Sequence, residues 1–352
     1  MEIAEFSQIT PENFIEIGYT SLKDVVDLNL SRAMTVPGLD GGDFADEIEL
    51  NATIGNNFLR PITLLNPGEE VPVFGVDVSN IDLGETKEGF LCAIRGSIVW
   101  RENKTYKYVR HGPFIFHVTE ANKHFLYNAL RQRCFDVNEG VGAPILERIP
   151  EHIRNILERW LQKQLSESRR KSLLLWDGSM TTRTVNNPRS ILSRLLKRAR
   201  DAQNVILALS KKTSISAFGR RMDSLLDSRN APCLLDIDDV VRVQYGKYLR
   251  FFGKIYAVKL SPGNLSFRLD IDRQVPQEAG IQAVENLLCS DLIVDSYPET
   301  LRLAHIMSRF SANEVIAMQR FVAENYGLKI VQRPNIRQIL FGPYGGTGSK
   351  RS

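Results

Sequence analysis

Two apolar runs in this sequence carry an aspartate: 71-VPVFGVDVSN-80 ends its run on Asp77, and 171-KSLLLWDGSM-180 ends on Asp177. A carboxylate at the last buried position of a strand is costly unless a cation or a hydrogen-bond donor meets it. Two of them call for neighbouring strands that share a positive partner. An oxygen-rich site of that kind suits a hard divalent cation such as Mg²⁺ or Mn²⁺. Such an ion binds a phosphodiester and promotes attack by water, so the pair points to metal-assisted phosphodiester hydrolysis. Taken singly, either aspartate is equally a cap or a turn residue; Gly178 and Ser179 after Asp177 have turn composition.

A third acidic ligand is expected from a helix packed beside the strands. Glu147, Glu151 and Glu158 all lie in the right segment, and spacing alone does not choose among them. Glu158 sits at the border of the apolar stripe, where a solvated role is the plain alternative. His305 follows Leu301 by four residues and shares its helical face. It gains a metal-binding or water-orienting role if its helix crosses the mouth of the sheet. Lys211 and Lys212 stand just past the run NVILALS, level with Asp177 if the two strands are parallel neighbours, where a cation holds a phosphate. The basic segment 187–201 carries Arg189, Arg194, Lys197, Arg198 and Arg200. Of the cations, Arg194, Lys197, Arg198 and Lys212 are the expected DNA contacts.

The elements must bring these residues together. VPVFGVDVS, GFLCAIRGSIVW and KTYKYVRHGPFIFHV read as three strands with short connections, an antiparallel meander. Helical periodicity follows over about 119–133 and 145–169, where Ile149, Ile153, Ile156, Trp160 and Leu161 share a face. SLLLW is a short strand buried on both sides. The next helix opens with Asn187 as N-cap and Pro188 at its first position. NVILALS, PCLLDID, KYLRFFGKIYAVKL and LSFRLDI are further strands, and three helical segments close the chain. Strand-strand-strand-helix-strand-helix-strand is the order of a ribonuclease H-like core, an α/β fold with a mixed sheet flanked by helices. Its first and fourth strands are neighbours, so Asp77 and Asp177 are expected to converge. Residues 1–70 read as an acidic extension for a partner or second subunit. Residues 71–326 form the core domain, with a helical insertion over about 119–170, and 327–352 form a tail.

The 352 residues carry a net charge of +4 that hides a split: 4 Lys/Arg against 17 Asp/Glu over residues 1–90, and 41 against 24 over the rest. So basic a body fits a polyanion, with nucleic acid the commonest. Four cysteines without paired spacing read as reduced core residues. No run nears the ~18 apolar residues of a membrane span, and MEIAEFSQ lacks the basic flank of a signal peptide. A soluble, cytoplasmic protein is expected.

Four segments, VFGVDVSN, LLLWDGSM, ILALSKKTS and DSYPETLRLAH, resemble the NurA family of DNA nucleases, in that order. The last is the most specific, with Tyr297, Pro298, Ala304 and His305 at the family's spacing. The resemblance implies a ribonuclease H-like (PIWI-like) fold and a Mn²⁺-dependent (or Mg²⁺-dependent) 5′→3′ exonuclease with single-strand endonuclease activity. It also implies a homodimer that works with a HerA-type hexameric ATPase in DNA end resection and recombinational repair. Carried over by residue, Asp77, Glu158, Asp177 and His305 match the metal-binding set. Glu158 lies nineteen residues before Asp177, which separates it from Glu147 and Glu151. Lys211 matches a charge-stabilising lysine, and Tyr297 a residue that positions the strand end. The chain departs from the pattern at Val78-Ser79, where the family more often has Gly-Ser, and at Ser296, which replaces a glycine.

Two other enzyme classes fit poorly. An actin-like kinase needs a glycine-rich loop after its strand-end aspartate, and Asp77-Val78-Ser79-Asn80 has none. The segment GPYGGTGSK lacks the Gly-Lys-Ser/Thr order of a P-loop. The remaining rival is a non-catalytic DNA-binding or scaffold protein on the same fold, for which Asp77, Asp177 and His305 would not be needed.

Overall fold

The computed structural model describes residues 11–23, 61–64, 68–137, 142–182, 189–211, 216–217, 220–245 and 250–328. Asn187, Pro188, Lys212 and most of the two expected terminal regions lie outside the described residues.

Three long strands, β2 (Val73–Glu85), β3 (Gly89–Glu102) and β4 (Thr105–Thr119), form the expected meander, preceded by a short edge strand β1 (Ile62–Thr63). Two helices follow, α2 (Lys123–Phe135) and α3 (Ile149–Ser168), after α1 (Glu12–Lys23) earlier in the chain. Then come β5 (Leu173–Asp177), α4 (Arg189–Asp201) and β6 (Val205–Ser210). The second half adds β7 (Cys233–Asp236), α5 (Asp238–Tyr245), β8 (Gly253–Lys259), β9 (Phe267–Asp272), α6 (Gln277–Ser290), α7 (Glu299–Ser308) and α8 (Ala312–Tyr326). One nine-stranded sheet runs β1-β7-β8-β9-β6-β5-β2-β3-β4. Among the described residues, only β2–β5 and β5–β6 are parallel. The stretch β4-β3-β2-β5-β6 is the ribonuclease H-like order, so the fold is the one expected.

Strand alternation divides the core. Phe74, Val76 and Val78 of β2, with Leu174 and Trp176 of β5, face α3 and α4 and pack against Ile153, Ile156, Leu157, Leu161 and Leu192. Val73 of β2 and Leu173 and Leu175 of β5 face the other way, against Val284 and Leu287 of α6 and Leu301 of α7. Burial on both sides explains why SLLLW reads as an unbroken apolar run. Gly75 lies on the α7 face, where an added Cβ would stand 3.0 Å from Thr300 Cγ2 and 3.3 Å from Leu301 Cδ2. Its bare backbone lets α7 lie close across β2.

Two pieces of the region read as an acidic extension take part in this fold. α1 packs on β4, with Phe14 wholly buried against Phe114 and Phe116 at ring-centroid distances of 5.6 and 6.4 Å. β1 pairs with β7 at the sheet edge.

Candidate active site

The parallel pairing Val76↔Trp176 leaves Asp77 and Asp177 level, one residue further on, both on the face covered by α7. One expectation is corrected here. Asp77 does not end its strand: β2 runs on to Glu85, paired with β3 throughout, and Val78 after it is buried. The long neighbour keeps β2 extended, whereas β5 stops at Asp177. Asp77 therefore marks the point where β2 loses its parallel neighbour.

α7 crosses this point. Ser308 Oγ donates to Asp77 Oδ2, and His305 Nδ1 stands 3.4 Å from the same oxygen. Ser79 Oγ is 2.7 Å from Ser308 Oγ. The single hydroxyl proton of Ser308 goes to the carboxylate, the stronger acceptor, so Ser79 is the donor in its pair with Ser308. On the other aspartate, Lys211 Nζ lies 2.7 Å from Asp177 Oδ2 and 4.8 Å from the centroid of the Tyr297 ring. The Tyr297 hydroxyl is buried and faces Asp177 without reaching ordinary hydrogen-bond geometry. Burial, with the charges of Asp177 and Asp77, drives its pKa far up, so Tyr297 stays a neutral donor beside the carboxylates.

Glu158 completes the group. Burial pushes its pKa up to about 7; Arg159 and Arg154 oppose the rise, while Asp77 and Asp177 add to it. Gln162 Nε2, one helical turn on, donates to its Oε1 at 3.2 Å. Arg159 donates to Gln162 Oε1 at 2.8 Å and lies 5.1 Å over the Trp176 ring, which fixes this part of α3 to the end of β5. Of the other two candidates, Glu151 faces Arg154 at 4.0 Å and Glu147 sits in the 3-10 turn before α3.

The expected DNA contacts on α4 are not brought to this site. α4 returns from the end of β5 to the start of β6, so its residues recede from Asp177. Arg194 donates to the Phe135 carbonyl at 3.2 Å, Lys197 pairs with Asp201 at 2.6 Å and Arg198 pairs with Glu167. Glu167 is about 13 Å along α3 from Glu158. Lys212 lies outside the described residues. Sequence reasoning missed Ser308, Ser79, Gln162 and Arg159. For Ser308 and Gln162 the signal was present as helical spacing, three residues from His305 and four from Glu158.

The donor set fits a hard divalent cation in kind: three carboxylates share one region, and their mutual repulsion is visible in the proton affinity of Glu158. It is not closed around one point. Among the described residues, no three His, Cys, Asp or Glu side chains stand close enough to hold an ion; Asp177 is engaged by Lys211, and Asp77 by Ser308 and His305.

This fold and site define a ribonuclease H-like protein with a carboxylate centre. No family model matches the chain, and no curated protein matches it. Among solved structures it is similar to the NurA nuclease from Sulfolobus solfataricus, at 13% identity over 76% of this chain and 87% of that one, with a TM-score of 0.47. It is also similar to an endonuclease V from Bacillus subtilis, at 12% identity over 76% and 88%, TM-score 0.36. A third is a NurA bound to dAMP and manganese, at 8% identity over 80% and 92%, TM-score 0.38. No helix among the described residues is long and apolar enough to cross a membrane.

Proposed function

We propose that this chain is a divalent-metal-dependent deoxyribonuclease. The observation that carries the reading is the level placement of Asp77 and Asp177 where β2 and β5 part, with Glu158 near enough that the two aspartates add to the rise that burial causes in its proton affinity. Asp77, Glu158 and Asp177, with His305, would hold Mn²⁺ or Mg²⁺. When bound, the ion supplies Lewis-acid activation of the scissile phosphodiester. Lys211 places a cation at the same edge to meet phosphate charge, and Tyr297 offers a neutral hydroxyl for orienting the strand. Ser308 and Ser79 hold Asp77 in place. His305 turns Nδ1 to Asp77, which leaves Nε2 for the site.

The motif resemblance to NurA supports a finer version: a 5′→3′ exonuclease with single-strand endonuclease activity, preferring Mn²⁺. In that version it is a homodimer, acting with a HerA-type hexameric ATPase in DNA end resection and recombinational repair in the cytoplasm. Digestion of 5′-labelled and 3′-labelled duplexes with Mn²⁺, Mg²⁺ or EDTA, beside Asp177→Asn, tests activity and polarity together. Metal-dependent release of short 5′-labelled products, lost by at least about 1,000-fold in the variant, is expected.

A second reading is a DNA-binding or scaffold protein that does not cut. The Lys211–Asp177 ion pair favours it, since a carboxylate so engaged is not free to bind metal. Such a protein would shift DNA in a gel with or without Mn²⁺ and release no product.

A further inference from the structure

The row of paired residues that contains Asp77 continues across the sheet. Asp77 pairs with Ser97 of β3, and Ser97 pairs with Arg110 of β4. Directly paired residues of an antiparallel sheet point to the same face. Arg110 thus stands on the face of Asp77, two strands and about 10 Å away. The next row on this face is Gly75, Val99 and Tyr108. α7 covers the β2 and β3 members: Ser97 Oγ donates to the Ala304 carbonyl at 2.6 Å. It meets β4 more sparingly. Tyr108 is left 51% exposed, and the Arg110 guanidinium lies 5.8 Å from its ring centroid and 3.5 Å from Met307 Sδ. Among the described residues no carboxylate meets Arg110, whereas Arg302 on α7 is held by Glu299.

An exposed ring beside a cation that no carboxylate of the described residues meets, in register with Asp77, is complementary to a base with its phosphate. We propose that Tyr108 and Arg110 form a shelf for single-stranded DNA, on which Tyr108 stacks a base and Arg110 meets a neighbouring phosphate. A strand lying there passes over the rim of α7 to the carboxylate group. Every base has a π-face, so the shelf binds without sequence preference. The proposal rests on the nuclease reading for its role in substrate positioning, but strand binding is measured apart from cutting.

Binding of a fluorescein-labelled oligothymidylate to the full chain is followed by anisotropy in EDTA, where no cutting occurs. Tyr108→Ala is expected to weaken binding about tenfold, and Tyr108→Phe, which keeps the stacking ring, to restore it. Arg110→Ala should lower the steepness of the salt dependence by about one phosphate contact. Phe321→Ala removes a comparably exposed ring on α8 and should change nothing. Equal affinity of Tyr108→Ala and the parent protein overturns the shelf, as does a parent protein that binds no oligonucleotide. Binding that depends on Tyr108 in a protein that cuts nothing with any metal overturns the nuclease reading and leaves the shelf standing.

Discussion

Glu158 is the residue whose two roles pull hardest against each other. Its folded pKa, about 7, lies above the ordinary value of 4.5. Between these two values the folded chain holds a proton that the unfolded chain has released, so stability falls as pH rises from 4.5 through 7. Glu158→Gln removes that fall. In metal-free buffer at pH 8 the variant should be more stable by about 1–3 kcal/mol, read from urea unfolding, while cleavage drops to background. A variant no more stable than its parent would show that burial, with the two aspartates, does not hold the Glu158 pKa above its ordinary value. The aspartates themselves were legible in the sequence because each interrupts an apolar run. Ser308 was legible only as a helical neighbour of His305, because a serine on a helix gains its meaning from the carboxylate that folding brings to it.

At the scale of elements, Gly75 sets how closely α7 approaches β2. Gly75→Val introduces atoms where Thr300 and Leu301 already stand at 3.0 and 3.3 Å, and β2 is too tightly paired to give way. α7 must lift instead, at a cost of about 1–3 kcal/mol. His305 and Ser308 move with it, so kcat should fall more than the loss of stability accounts for. Comparing kcat with the folded fraction at one temperature separates the two. The strand and helix order was readable because apolar runs and 3.6-residue stripes are local. The length of β2 was not, since pairing with β3 carries it eight residues beyond Asp77. The place of α1 in the core was equally hidden, because acidic composition says nothing of where Phe14 is buried.

At the scale of the whole molecule, a buried arginine ties the meander to α8. Arg95 of β3, 4% exposed, pairs with Glu314 of α8 at 2.7 Å, donates to the Arg309 carbonyl at 3.0 Å and lies 4.4 Å over the Phe310 ring. Arg95, followed by the hydrogen bonds of the Ser311 cap, holds the Glu314 carboxyl down at about 2. That contribution to stability is complete above 4.5 and is lost as pH falls toward 2. His111 on β4 acts earlier: burial lowers its pKa from 6.5 to about 4. The unfolded chain takes up the proton first, so stability declines as pH drops through that range, by up to about 3 kcal/mol. His111→Phe should flatten urea midpoints between pH 7 and 4.5; an unchanged slope would place the acid sensitivity elsewhere.

The two residues held together by the Ser308–Asp77 hydrogen bond are 231 positions apart in the chain. During synthesis β2, α3 and β5 are made before the helix that clasps Asp77. A nascent chain with Asp77, Glu158 and Asp177 already folded still lacks His305, Ser308 and Tyr297. The group stays unassembled until α7 has been made, and fragments released before that carry the acidic residues without the part that organises them.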